Sequence, residues 1–304
     1  MTGRPARRVA FLGLGLVGGS IAQALATNPK TGRPAENRPR MAAWTPAGRG
    51  PAAAFAGGAI DHVASDPADA LSGADLVIIA APPLETVELI GRLGSDLRNA
   101  LLRGALVTDV ASTKGAIIAA ALAVGVPFVG GHPMAGREAA GYGAARPDLF
   151  IDRAWLVVRP PDVPEAAAGP VRWLAEACGA IPMELTAEAH DAATAAISHL
   201  PLVASASLVE AVAGPGGDTW SIARRLAASG WDGMTRLARG DARMGAGIAT
   251  TNAVELAAAL RAYRSAIDAW IADLERAGGP DATRLQRRLE AARTYLDEPP
   301  TRRE

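Results

Sequence analysis

The chain has 304 residues, enough for two domains with a sizeable core. Its 31 basic and 31 acidic residues cancel, so composition points to neither a nucleic acid nor a polyanionic partner. The single Cys178 excludes a disulfide framework and a multi-cysteine metal site. His62, His132, His190 and His199 lack helical H-E-x-x-H spacing, so no metal is expected.

Val9 to Leu12 is an apolar run that stops at Gly13. Gly13, Gly15 and Gly18 then stand in G-x-G-x-x-G register before a helix-compatible segment from Ile21 to Ala26. The spacing has a chemical reason. Gly13 permits the tight strand-to-helix turn, Gly15 lets backbone approach a pyrophosphate, and Gly18 lets helix and strand pack closely. A dinucleotide is therefore the expected ligand, with Leu16 and Val17 inside the loop as further contacts. Arg4, Arg7 and Arg8 before an uncharged run also look like a secretory signal. Four glycines in that run make a poor signal helix, since each costs about 1 kcal/mol of helix propensity. The cytoplasm is the expected location, and no other apolar run reads as long enough to span a bilayer.

After a proline-containing loop, Met41 to Thr45 reads as a second strand. NAD-specific sites usually end this strand with a carboxylate for the ribose hydroxyls. Here Thr45 stands at that position, with Arg49 four residues on, which tilts the reading from NAD towards NADP. Ala52 to Gly57 suits a short helix. Ala74 to Pro83 is a buried parallel strand whose end, at Ala81 and Pro82, falls beside the cofactor, and Glu85 to Leu93 is the helix after it. Ala105 to Val110 and Pro127 to Gly131 are further strands, followed by Trp155 to Arg159 and Ile181 to Leu185 with a helix from Val171 to Cys178 between them. Beyond Thr186 apolar residues recur at three- and four-residue spacing, with breaks near Gly214, Gly230, Gly240 and Gly278. The fold expected is α/β: a Rossmann-type doubly wound parallel sheet over residues 1–185, then an all-helical dimerisation domain over 186–304. A homodimer is expected because alanine-rich helices need a second surface to bury against.

Ligands of open parallel sheets bind outside the carboxyl ends of the strands. Those ends carry Ser112 with Lys114, and His132 with Pro133 behind it. An imidazole held there is suited to accept a hydroxyl proton while hydride leaves the same carbon. Ser112 could hydrogen-bond that imidazole and settle its tautomer, or cap the helix starting near Lys114.

Four motifs, Gly13-Leu-Gly-Leu-Val-Gly-Gly-Ser20, Asp109-Val-Ala-Ser-Thr-Lys-Gly115, His132-Pro-Met-Ala-Gly136 and Ser198-His-Leu-Pro201, occur in an order that resembles the prephenate/arogenate dehydrogenases from about Arg8 to Arg264. The resemblance implies NAD(P)-dependent oxidative decarboxylation of a cyclohexadienol in tyrosine biosynthesis. It implies His132 as the catalytic base with Ser112 in support, and Glu138, Ser198 and His199 near the substrate. Arg236, in Thr235-Arg236, would hold the ring carboxylate. Prephenate-specific members commonly read Ser-His-Leu-Pro-His. Leu202 stands in place of the last histidine, so arogenate, or both substrates, is expected. The chain stops at Glu304 after a charged helix, so tyrosine feedback through a C-terminal regulatory domain is not expected. Two other readings stay open. A β-hydroxy acid dehydrogenase would need a catalytic lysine in the helical region, but the chain's only lysines are Lys30 and Lys114. A dinucleotide-sensing module without turnover would leave His132 and Arg236 unused.

Overall fold

The computed structural model describes residues 5–136 and 139–297. Strands β1 (Arg8–Leu12), β2 (Arg40–Trp44), β3 (His62–Val63), β4 (Leu76–Ile79) and β5 (Leu106–Asp109) form a parallel sheet in the order β3-β2-β1-β4-β5. Helices α1 (Leu16–Ala26), α2 (Arg49–Ala56), α3 (Pro67–Leu71), α4 (Pro83–Leu93) and α5 (Gly115–Val124) supply the crossovers. The order reverses beside β1, where the chain steps from β2 and β3 on one side to β4 and β5 on the other. That reversal makes the crevice in which doubly wound sheets bind nucleotides.

Side chains alternate across the sheet, and both faces are dry. Val9, Phe11, Leu76 and Ile78 pack with Ile21 and Leu25 of α1 and with Trp155. Ala10, Leu12, Val77 and Ile79 pack with Leu71, Ile90, Leu93 and Ile117. This two-sided burial is why the strands read as continuous apolar runs. At about 1.5–3 kcal/mol for each large aliphatic side chain, it is the main force holding the layer together.

The sheet continues differently from the expected parallel series. Phe128 bridges Val107 in parallel, and β6 (Gly130–Pro133) then pairs antiparallel with β7 (Ala154–Val158). After α6 (Gly169–Ala177), β8 (Ile181–Leu185) lies parallel to β7. Among the described residues between β6 and β7 there is one 3₁₀ turn (Tyr142–Ala144) and no crossover helix, as an antiparallel pair allows. The two-residue β3 and the one-turn α3 are too short to leave a periodic signal in the sequence.

From Ala187 to Asp297 the described chain is helical. Helix α7 (Ala187–Thr194) passes through a π turn (Ala195–His199) into α8 (Leu200–Ala213). Together these form a 27-residue helix, long and apolar enough by length and composition to cross a membrane. The sequence reading passed over it because the buried His190, Asp191 and His199 interrupt its apolar run. Then come α9 (Gly217–Leu226), α10 (Ser229–Thr235), α11 (Ala242–Thr251), α12 (Ala253–Leu274) and α13 (Ala282–Asp297). The break expected at Gly230 falls instead at Ala227 and Ala228, and α10 runs through Gly230.

The chain divides into a compact unit to Leu256 and a second from Ala257 onward. Within the second, Asp273 receives Arg284 Nε at 2.5 Å and Arg288 Nη1 at 2.7 Å, clasping α13 to the end of α12. The Arg288 guanidinium also lies 4.3 Å from the centre of the Trp270 ring.

Candidate active site

The glycine loop divides its labour as its spacing requires. Gly13 has φ +102°, and a Cβ there would collide with the Ala80 carbonyl. A Cβ on Gly18 would lie 2.8 Å from the Gly13 oxygen, so this glycine seats α1 on the turn. A Cβ on Gly15 would meet nothing within 4 Å, and no side chain caps α1. The N–H groups of Leu16 and Val17 in its first turn therefore have no side-chain cap, as at helix N-termini that hold a pyrophosphate. These residues fit a dinucleotide.

Thr45 and Arg49 flank the turn after β2. The Thr45 hydroxyl accepts the Gly48 N–H at 3.1 Å, and Arg49 is exposed at the start of α2. Ala81 and Pro82 follow β4, where the Ala81 carbonyl accepts the Thr86 hydroxyl at 3.1 Å and Pro82 opens α4.

At the end of β5 a buried ion pair organises the next loop. Lys114 Nζ bonds Asp109 Oδ2, and both side chains are fully enclosed. Asp109 also accepts the N–H groups of Ala111 and Gly131, each at 3.1 Å. Burial pushes Asp109 up and Lys114 down in pKa, and the opposite charge of each resists the shift of the other. The Gly131 bond ties the start of β6 to the end of β5, so Ser112 and His132 leave the sheet from one edge.

His132 sits on β6 with part of its surface open. Its Nδ1 lies 2.9 Å from His190 Nε2, and His190 Nδ1 lies 2.7 Å from Asp191 Oδ1. Asp191 in turn accepts Lys114 N–H at 2.8 Å and Gly115 N–H at 2.7 Å, capping α5 from α7. Burial would raise its pKa, but the bonds from His190, Gly115 and Lys114 prevail and hold it below the usual carboxylate value. Burial, with Lys114, His190 and His199 nearby, holds the His132 pKa well below that of an ordinary histidine. The partner of His132 Nδ1 is thus His190 rather than Ser112, which is half-buried on the loop between β5 and α5.

His199 is fully buried beneath this cluster. Asn252 Nδ2 donates to the Asp191 carbonyl at 2.9 Å and to His199 Nδ1 at 3.1 Å. His199 Nε2 is buried without a well-formed hydrogen bond. Burial pushes its pKa down to about 4. Ser198, one residue earlier on the π turn, is exposed. Arg236 follows α10 and is exposed, while two residues on the Ala238 N–H bonds Ser205 Oγ of α8 at 3.0 Å. Glu138 lies outside the described residues. The sequence reading missed His190, Asp191 and Asn252. A histidine beside an aspartate at a helix start was the one available signal.

Two family models cover most of the chain. Residues 49–181 match the nucleotide-binding domain of prephenate dehydrogenase, and residues 186–290 match its dimerization domain. The chain belongs to the prephenate dehydrogenase family. A prephenate dehydrogenase of Bacillus subtilis is 30% identical over 302 residues, which is 97% of this chain and 76% of that protein. A cyclohexadienyl dehydrogenase of Zymomonas mobilis is 29% identical, covering 71% of each chain. The structure of Synechocystis arogenate dehydrogenase superposes with a TM-score of 0.74 at 28% identity, over 95% of this chain and 99% of that one. A prephenate dehydrogenase from A. aeolicus, solved with hydroxyphenyl propionate and NAD+, shares the fold at a TM-score of 0.83 and 21% identity, over 96% and 98% of the two chains. The family's two-part architecture, a Rossmann-like sheet followed by a helical dimerisation domain, is the one seen in this chain.

Proposed function

We propose that His132 is the general base of an oxidative decarboxylation, in a chain that its family makes an NAD(P)-dependent dehydrogenase of prephenate, arogenate or both. The observation that carries this reading is the position of His132, at the strand edge shared with Ser112 and with its Nδ1 already engaged. Bound in the glycine loop, the nicotinamide cofactor supplies a hydride acceptor. His132 takes the proton of the ring hydroxyl as the carbon bearing it loses hydride, and carbon dioxide leaves as the ring becomes aromatic. Aromatisation drives the step, so the protein's task is chiefly to position donor and acceptor.

Arg236 holds the ring carboxylate, by a two-pronged pairing that lysine could not reproduce. Ser112, Glu138, Ser198 and His199 complete the substrate side, with His199 acting from beneath because it is buried. Leu202 in place of a histidine favours arogenate or dual use. Thr45 and Arg49 favour NADP over NAD. Residues 1–185 serve as the dinucleotide domain and 186–304 as the helical domain, which pairs with a second copy in a cytoplasmic homodimer. Exposed apolar side chains at Ile197, Ile222, Leu226 and Val254 support the pairing.

The test is reduced-nicotinamide formation by purified protein, with prephenate and arogenate each offered NAD and NADP. Turnover in any mixture supports the activity, and the best pair decides the two preferences. Near-normal turnover by His132→Asn would remove His132 from its role.

A further inference from the structure

The reaction as described uses neither His190 nor the Asp191 carboxylate, yet both are buried within the compact unit and bonded in line behind His132. The chain of bonds has a direction. An ionised carboxylate only accepts, so the proton between His190 and Asp191 belongs to His190 Nδ1. In the neutral imidazole the other nitrogen, Nε2, then carries a lone pair, and it faces His132 Nδ1 at 2.9 Å. Two lone pairs cannot form that bond. While His190 is neutral, His132 Nδ1 must carry the hydrogen, and His132 Nε2 is left bare.

We propose that His190 and Asp191 are positioning residues for the reaction, fixing His132 as the Nδ1–H tautomer so that its bare Nε2 meets the substrate hydroxyl. The inference rests on the reading of His132 as the base. The proton taken from the substrate comes to rest on His132 Nε2, while the Nδ1 hydrogen stays in the bond to His190. The positive charge that forms on His132 is thereby met, through the His190 ring, by the Asp191 carboxylate.

The carboxylate itself is held from a second direction. Two main-chain N–H groups at the start of α5 bond its two oxygens, at 2.8 and 2.7 Å, so it cannot turn away from His190. The same contact anchors the loop that carries Ser112. The Asn252 side chain bonds the Asp191 carbonyl and holds that residue from below. In these largely enclosed surroundings the other tautomer would oppose two lone pairs, which makes it costly.

The test begins with unaltered full-length protein labelled with 15N-histidine, its His132 signals assigned by their loss in His132→Asn. Long-range proton–nitrogen spectra at mildly alkaline pH should show His132 protonated at Nδ1. A dominant Nε2–H form would overturn the proposal without recourse to further variants. Steady-state kinetics give the second reading. His190→Leu should lower kcat by about 100-fold, within the range a general base contributes, with KM little changed. His190→Gln, whose side-chain oxygen can accept from His132 Nδ1, should recover most of that loss. Normal kcat in His190→Leu alongside an inactive His132→Asn would overturn the positioning role and leave the base intact. Near-normal turnover in His132→Asn would instead defeat the underlying reading.

Discussion

A Cβ on Gly130 would lie 2.7 Å from Cδ of Lys114, so the glycine is what makes room for the buried lysine to reach Asp109. Lys114 cannot move aside cheaply, because its Nζ is held by both Asp109 and the Thr113 carbonyl. Gly130→Ala should therefore cost about 1–3 kcal/mol, the usual penalty for overpacking a closed core. Urea denaturation measures it, and an unchanged midpoint would show that the lysine has slack.

The ion pair itself should be destabilising to break and less so to replace. Lys114→Met strands the Asp109 charge in a dry site and should cost about 3–5 kcal/mol. Adding Asp109→Asn removes that charge and should restore part of the loss, since Asn still offers an oxygen to the Gly131 N–H. A double-mutant cycle in urea gives the coupling directly, and simple additivity would deny that the two charges depend on each other.

The glycines of the loop should separate by function. Gly13→Ala forces a side chain into a left-handed backbone and into the Ala80 carbonyl, so it should destabilise the fold. Gly15→Ala meets open space and should leave thermal stability close to unchanged. Its methyl would stand where the pyrophosphate approaches, so cofactor affinity should fall by about tenfold or more, equivalent to about 1.4 kcal/mol. Fluorescence titration with reduced nicotinamide dinucleotide, beside a thermal melt, separates the two effects.

Two histidines set the response to acid. A base must be unprotonated to work, and the pKa of His132 is lowered, so the acidic limb of kcat should fall below pH 6.5 with a flat profile through neutrality. A limb above pH 6.5 would contradict the burial of the site. Stability follows the same sign. His199 titrates near 4 when folded and 6.5 when unfolded, so between those values the unfolded chain binds more protons. Stability should decline as pH drops from 6.5 to about 4 and lose no more through this group below that. Each unit of difference is worth about 1.4 kcal/mol. Urea midpoints measured for the unaltered protein and for His199→Gln should differ in slope between pH 6.5 and about 4 and run parallel above that range.

Much of the site was legible because its signals are local. Gly13, Gly15 and Gly18 answer to the conformation of one turn, and Ser112 and His132 are marked by the strands that end beside them. Thr45 could be placed at the end of β2, but only the structure shows its hydroxyl spent on the Gly48 N–H. His199 was legible as part of a motif and illegible as a buried residue. The π turn that leaves Ser198 exposed and His199 enclosed departs from regular helical spacing.

By itself, the sequence determined the order of the longer strands and helices, the glycine turn after β1 and the change to an all-helical region at Thr186. Each of these is written in periodicity and turn chemistry over a few neighbouring residues. Only the tertiary structure decided that β6 would turn antiparallel, and that Asp191 would cap a helix 76 residues away. It also decided that His132 would be held by His190, 58 residues further along. Such pairings arise when packing encloses polar groups and obliges them to find partners, and no local pattern announces which partner will be in reach.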